Sequence, residues 1–249
     1  MEGKDRLMYI YGVNPVIEAF RFKEALQELY IAKNRLPKLK ELIKLAEKHS
    51  VSVKVVDEDF INKRVEGNHQ GVMAKIKQKK TITVYDAIRI SEERKEPAFF
   101  LILDLIEDPQ NFGAILRVAD AAGVHAVIYQ ERRSAGIVPS VWKSSAGAVW
   151  HVNLVEINNI KYAIKELKNV GISVYALEAS GERILWECNF IQPLAFVVGS
   201  EGKGIRQTVL SICDEVVKIP MKGMLNSLNV SVAAGVLAFE VLKQRHNCV

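Results

Sequence analysis

Residues 99–129 read FFLILDLIEDPQNFGAILRVADAAGVHAVIY, and their pattern decides the fold. FFLILD is a continuous apolar run closed by Asp104, as expected of a strand covered on both faces. FGAILRVADAAG then carries helical spacing and stops at Gly123, and VHAVIY reads as the next strand. The alternation continues toward the C-terminus. A helix is expected around 139–149, then strand VNLV, helix NIKYAIKELKNVG, strands ISVYAL and LAFVVG, helix GIRQTVLSI, strand EVVKIP and a last helix. Such alternation specifies an α/β domain with a mainly parallel sheet and helices on both faces. Ligands of these sheets sit beyond the carboxyl ends of the strands.

Working back toward the N-terminus, residues 1–77 form a smaller α/β pattern. Asn14-Pro15 reads as a helix start, with an N-cap amide and proline in the first helical position. LQELYIA, SVKVVD and GVMAKIK read as strands, LPKLKELIKLAEKHS as a helix, and DEDFINKRV as a short capped helix. QKKTITVYDAIRISEERKEP is polar, with a short helix around YDAIR. The expected organisation is a domain over 1–78, a linker over 79–96 and a domain over 97–249.

Of the 249 residues, 49% are hydrophobic and 25% charged, an ordinary globular balance. No apolar run reaches membrane-spanning length, and the opening MEGKDRLMYIYG lacks a signal-peptide core. Cys188, Cys213 and Cys248 are odd in number and scattered, which fits a reduced cytoplasm better than a disulfide framework. The net charge of +5 is uneven. Residues 1–80 carry 17 Lys/Arg against 11 Asp/Glu, whereas 96–249 carry 14 against 15. An excess confined to the N-terminal part fits a polyanion-binding module and a lysine-rich solvated surface equally.

Three loops of the larger domain carry more polar residues than turns require. After FFLILD comes LIEDPQNFGAILR, in which Asn111 is expected to begin a helix and Gly113 to allow close approach. Arg117, four residues beyond Gly113, is either an ion-pair partner of Asp108 or Asp120 or a phosphate holder. After LAFVVG comes GSEGKG, three glycines in six residues, a backbone able to wrap a ligand. Its spacing is neither that of a phosphate-cradling P-loop nor that of a dinucleotide fingerprint. Glu201 within it suits a neutral or cationic ligand better than a phosphate.

The third loop, IPMKGML, runs into NSLNVSVAAG at 226–235. The spacing beyond Ser231 predicts a helix with Val232, Leu237, Ala238, Val241 and Leu242 on one stripe. One of Asn226, Ser227 and Asn229 suffices as a cap, so the excess points to groups presented to a ligand. The five histidines are far apart in sequence, so no metal is expected. Without a GxSxG elbow or a His-paired cysteine, covalent catalysis is not expected either.

Together DPQNFGAILRVADAAG, VVGSEGKGI and IPMKGMLNSLNVSVAAG resemble, in order and spacing, the three signature motifs of the SpoU/TrmH family. These are RNA ribose 2′-O-methyltransferases of the SPOUT superfamily. The N-terminal part, with YGVNPVIEAF and NHQGVMAKI, resembles the family's L30e-like substrate-binding domain. That order, with ERRSAG at 131–136, is most similar to members that methylate a guanosine in large-subunit rRNA. The resemblance implies a deep trefoil knot, S-adenosylmethionine as cofactor and a homodimer with its site at the subunit interface. It implies catalytic positions at Asn111, Arg117, Glu201, Ser227 and Asn229, and cofactor contacts through backbone at Gly199, Ile219 and Leu228, with the turn at 177–179 adding to them. Other RNA targets, tRNA among them, and a non-catalytic RNA-binding role are the alternatives it leaves.

Overall fold

The computed structural model describes residues 7–21, 26–77 and 79–246. Its first unit comprises β1 (Leu7–Tyr11), α1 (Val13–Phe20), β2 (Leu26–Ala32), α2 (Lys40–Lys48), β3 (Ser52–Val56), α3 (Glu58–Asn62) and β4 (Val72–Lys77). The strands form one sheet in the order β1-β4-β2-β3. Ile10, Leu29, Ile31, Ala74 and Ile76 pack in one cluster with Val16, Ala19 and Phe20 of α1 and Leu42 and Ala46 of α2. Helix α1 does not begin where Asn14-Pro15 suggested. Gly12, at φ +92°, is its N-cap and the Val13 N–H donates to Gln70 Oε1 at 2.9 Å, so a long-range amide replaces the local cap.

The stretch expected as a linker carries α4 (Val84–Arg94), far longer than YDAIR. Thr83 and Asp86 form a reciprocal capping box, and Val84, Ala87 and Ile88 are buried against the second sheet. The Ile82 N–H donates to Leu154 O at 2.8 Å. Lys79 donates to the carbonyls of Trp150 and Val152 at 2.7 and 2.5 Å, and burial lowers its ammonium to about 8.

The second unit runs β5 (Phe99–Asp104), α5 (Pro109–Ala121), β6 (Ala126–Gln130), α6 (Pro139–Ser144), α7 (Ala148–His151), β7 (Leu154–Ile157) and α8 (Ile160–Asn169). It continues through β8 (Ser173–Leu177), β9 (Arg183–Ile184), β10 (Leu194–Gly199), α9 (Gln207–Leu210), β11 (Glu215–Lys218) and α10 (Val230–His246). The sheet order is β7-β6-β5-β10-β8-β11-β9, with every pairing parallel. Every residue of β5 is buried, and alternate side chains serve opposite faces. Phe99, Leu101 and Leu103 join a cluster with residues of α5, α6 and α10, while Phe100 and Ile102 join one with α4 and α8. That double cover is what the uninterrupted apolar run required.

Three local expectations shift. Strand β7 begins at Leu154 rather than Val152, β9 was not expected, and GIRQTVLSI yields only the four-residue α9. In α10 the buried stripe is Val230, Ala234, Leu237, Ala238 and Val241, whereas Val232 and Leu242 are exposed. Apolar residues surround this helix, so periodicity alone could not select the inward face.

Candidate active site

Strands β5, β10, β8 and β11 are consecutive neighbours, and the loops leaving their carboxyl ends converge. A cavity of about 410 Å³ lies among them, lined by residues 177–179, 198–202 and 226–230 together with Gly204, Ile219, Met221 and Ala233. Two of the three polar loops thus wall the cavity itself. The third reaches it through one side chain.

That contact is made by Asn229. Its Oδ1 caps α10, accepting from the Ser231 N–H at 2.9 Å, the Ser231 hydroxyl at 2.6 Å and the Val232 N–H at 3.4 Å. Its Nδ2 donates to Asn111 Oδ1 at 3.0 Å and also to the Glu201 carboxylate. One amide therefore caps a helix and ties three loops together, which accounts for Asn229. Ser227, exposed on the cavity wall, makes no hydrogen bond among the described residues. Asn111 is buried but does not begin its helix. Asp108 is the N-cap of α5, accepting from the Gln110 and Asn111 N–H groups at 3.0 and 3.3 Å, and Asn111 stands in the first turn.

The glycine loop is built by steric exclusion. A side chain at Gly199 would run into the backbone of Gly204, because Ser200 and Gly204 exchange two backbone hydrogen bonds at 3.2 and 2.9 Å. Gly204 lies at φ +63° against the Glu178 carboxylate, which accepts the next N–H, that of Ile205, at 3.0 Å. The Arg206 N–H donates to Asp104 Oδ2 at 2.9 Å, and its Nε to Asp104 Oδ1 at 2.8 Å. Sequence reasoning missed Asp104 and Arg206. A charge closing an apolar strand was the only local signal for Asp104, and nothing local marked Arg206.

Arg117 stands apart from this junction. It is exposed, forms neither the Asp108 nor the Asp120 ion pair, and lines a hollow of about 300 Å³ with Glu18, Arg21, Asp120, 145–148 and His151. Gly113 does allow a close approach to its helix, that of α6. Any Cβ there would strike Ser144, so Gly113 lets α6 pack on α5. Elsewhere, burial pushes the Cys213 thiol up to about 12 and raises that of Cys188, which holds both as neutral thiols. Among the described residues no three His, Cys, Asp or Glu side chains are grouped to hold a metal.

With this geometry in hand, comparison with known proteins gives a consistent result. The profile described as the SpoU rRNA Methylase family matches residues 98–239, and one described as RNA 2′-O ribose methyltransferase substrate binding matches residues 9–82. The chain is 36% identical over 239 residues to the 23S rRNA (guanosine-2′-O-)-methyltransferase RlmB of Escherichia coli (strain K12), covering 95% of this chain and 98% of that one. It is equally 36% identical to RlmB of Yersinia pestis, covering 95% and 97%. Among solved structures it resembles the SpoU methyltransferase AviRb of Streptomyces viridochromogenes in complex with AdoMet, with a TM-score of 0.80 at 23% identity over 96% of this chain and 91% of that one. Another likeness is an RNA 2′-O ribose methyltransferase, with a TM-score of 0.76 at 25% identity over 97% and 90%. The profile match over the whole parallel-sheet unit and the full-length identities make one assignment: the chain belongs to the SpoU rRNA methylase family.

Proposed function

We propose that the protein transfers a methyl group from S-adenosylmethionine to the ribose 2′-hydroxyl of a guanosine in large-subunit (23S) rRNA, acting as a cytoplasmic homodimer. The observation that carries this reading is the Asn111–Asn229–Glu201 junction at the mouth of a glycine-walled cavity. The full-length relatives named for guanosine 2′-O-methylation in 23S rRNA support the choice of substrate. Residues 1–78 would hold RNA, largely through phosphate, and 97–249 would carry the chemistry.

The cavity fits the cofactor. Its volume of about 410 Å³ lies within the range of small-ligand sites. Leu177, Ile219 and Leu228 give it apolar wall, and no backbone hydrogen bond is made by residues 219–228 among the described residues, which leaves peptide groups there for a ligand. Gly199 and Gly204 bring main chain where side chains could not go. Ser200 Oγ is buried without a partner at the same wall.

When bound, the cofactor supplies an electrophilic methyl group, so the protein has to position the ribose, exclude water and assist loss of a proton. Asn229 cannot take that proton, because its oxygen accepts from Ser231 and Val232 and its nitrogen donates to Asn111 and Glu201. Ser227, facing the cavity with its hydroxyl unengaged, is the group that relays it to water. Arg117 acts through its planar guanidinium fork as a phosphate and alkoxide stabiliser. Because it faces away from its own cavity, the arrangement that uses it is a dimer in which the partner's Arg117 completes the site. Exposed Val232, Phe239 and Leu242 on α10, with Met224 99% and Leu225 75% exposed, supply the apolar surface for such an interface.

The test is incubation with labelled S-adenosylmethionine and 23S rRNA fragments, followed by nucleoside analysis. Label in 2′-O-methylguanosine is the expected result. Label in tRNA alone would redirect the substrate, and calorimetric silence toward the cofactor would end the enzymatic reading in favour of a binding protein.

A further inference from the structure

Arg206 crosses three strands of the sheet. Its peptide N–H and Nε donate to Asp104 at the end of β5, at 2.9 and 2.8 Å, and its Nη2 reaches both Asp104 Oδ1 at 2.6 Å and Gln130 Oε1, at the end of β6, at 2.5 Å. Asp104 is fully buried, and its strand partner across the sheet is Gly199, the first residue of the glycine loop. A buried carboxylate that collects three donors from one residue fixes that residue far more tightly than a surface pair would.

The chain geometry shows what this fixes. Glu201 lies five residues before Arg206 in a loop closed by the Ser200–Gly204 pair, and Asn111 lies seven residues after Asp104 at the head of α5. Among the described residues, Glu201 and Asn111 meet only through Asn229. Asp104 and Arg206 therefore join the two arms of the junction at their bases, while Asn229 joins them at their tips. Glu178 secures the same loop from the β8 side by accepting the Ile205 N–H.

We infer that Asp104 and Arg206, with Gln130 orienting the guanidinium, are positioning residues that set the separation of Glu201 from Asn111 and so hold Glu201 on Asn229. None of the three lines the cavity. Their effect on the reaction runs through Glu201, and the inference rests on the methyl-transfer reading above.

The experiment measures single-turnover methyl transfer, cofactor affinity by calorimetry and the side-chain amide resonance of Asn229 in the full-length protein. Arg206→Lys keeps the charge but not the fork and the Gln130 contact. It is expected to lower the transfer rate about 10- to 100-fold, the scale of ångström misplacement, with cofactor affinity unchanged and the Asn229 amide shifted. In a Glu201→Gln background, Arg206→Lys is expected to lower the residual rate no further, which a general loss of structure would not reproduce. Gln130→Ala, which leaves the ion pair in place, gives a smaller loss with the same dependence on Glu201 and serves if the lysine variant does not fold. Full activity in both variants, an unmoved Asn229 resonance, or equal losses with and without Glu201 would each overturn the inference. A wild-type protein that moves no methyl group onto RNA would instead remove the underlying reading, and the inference with it.

Discussion

Asn229 Nδ2 donates to Asn111 Oδ1 at 3.0 Å although 118 residues separate them. The bond joins the first turn of α5 to the start of α10, and the same nitrogen also reaches Glu201. Capping and site assembly are thus carried by opposite ends of one planar amide, and they can be separated.

Asn229→Ser retains a good N-cap and loses the bridge. Its stability should stay within about 1 kcal/mol of wild type, the scale of cap exchanges, while methyl transfer falls about 100-fold. Asn229→Ala should lose both. Thermal melts beside single-turnover rates make the comparison, and a serine variant of normal rate would show the bridge to be incidental.

Gly199→Ala should be severe, because the added methyl meets the backbone of Gly204 rather than a movable side chain. A loss of about 3 kcal/mol, the upper end of overpacking costs, is expected, with cofactor binding abolished. Gly223→Ala is the control. It stands in a motif loop with nothing within 4 Å of the new methyl, and denaturant midpoints should not separate it from wild type.

Arg117→Ala and Glu201→Gln should each fall to a small residual rate alone. Mixed under conditions that exchange subunits, they should regain about a quarter of wild-type sites, since a two-fold dimer with shared sites yields one intact site per heterodimer. No recovery from exchanged, folded subunits would place Arg117 in its own chain's site.

His125 predicts how stability responds to acid. It is 1% exposed, its Nδ1 accepts the Phe99 N–H at 3.1 Å, and burial, with Arg94 and Arg245 nearby, holds its pKa below the usual 6.5 despite Glu96. The unfolded chain therefore binds a proton at a pH where the folded one does not. This stabilisation is complete above about pH 7 and is lost as pH falls from 6.5 through the folded value. Melting temperatures between pH 7.5 and 5.5 should fall more steeply for wild type than for His125→Gln. Parallel slopes would remove His125 as the cause.

Apolar runs and alternation sufficed for the parallel sheet, because a strand covered on both faces must be apolar throughout, as FFLILD and LAFVVG are. The junction residues Asn111, Glu201 and Asn229 were legible for a different reason: polar side chains and glycines crowd the carboxyl ends of strands that packing alone would leave plain. Tertiary structure decided whatever depends on contacts between distant segments. Gln70 capping α1, Asn229 bridging to Asn111, and Arg206 reaching Asp104 each join residues whose neighbours in the chain carry no trace of the partner. The inward face of α10 belongs to the same class, since a helix apolar all round takes its orientation from what it packs against. Local spacing encodes which groups a segment presents, whereas the partner each group finds is set by how the sheet brings strand ends together.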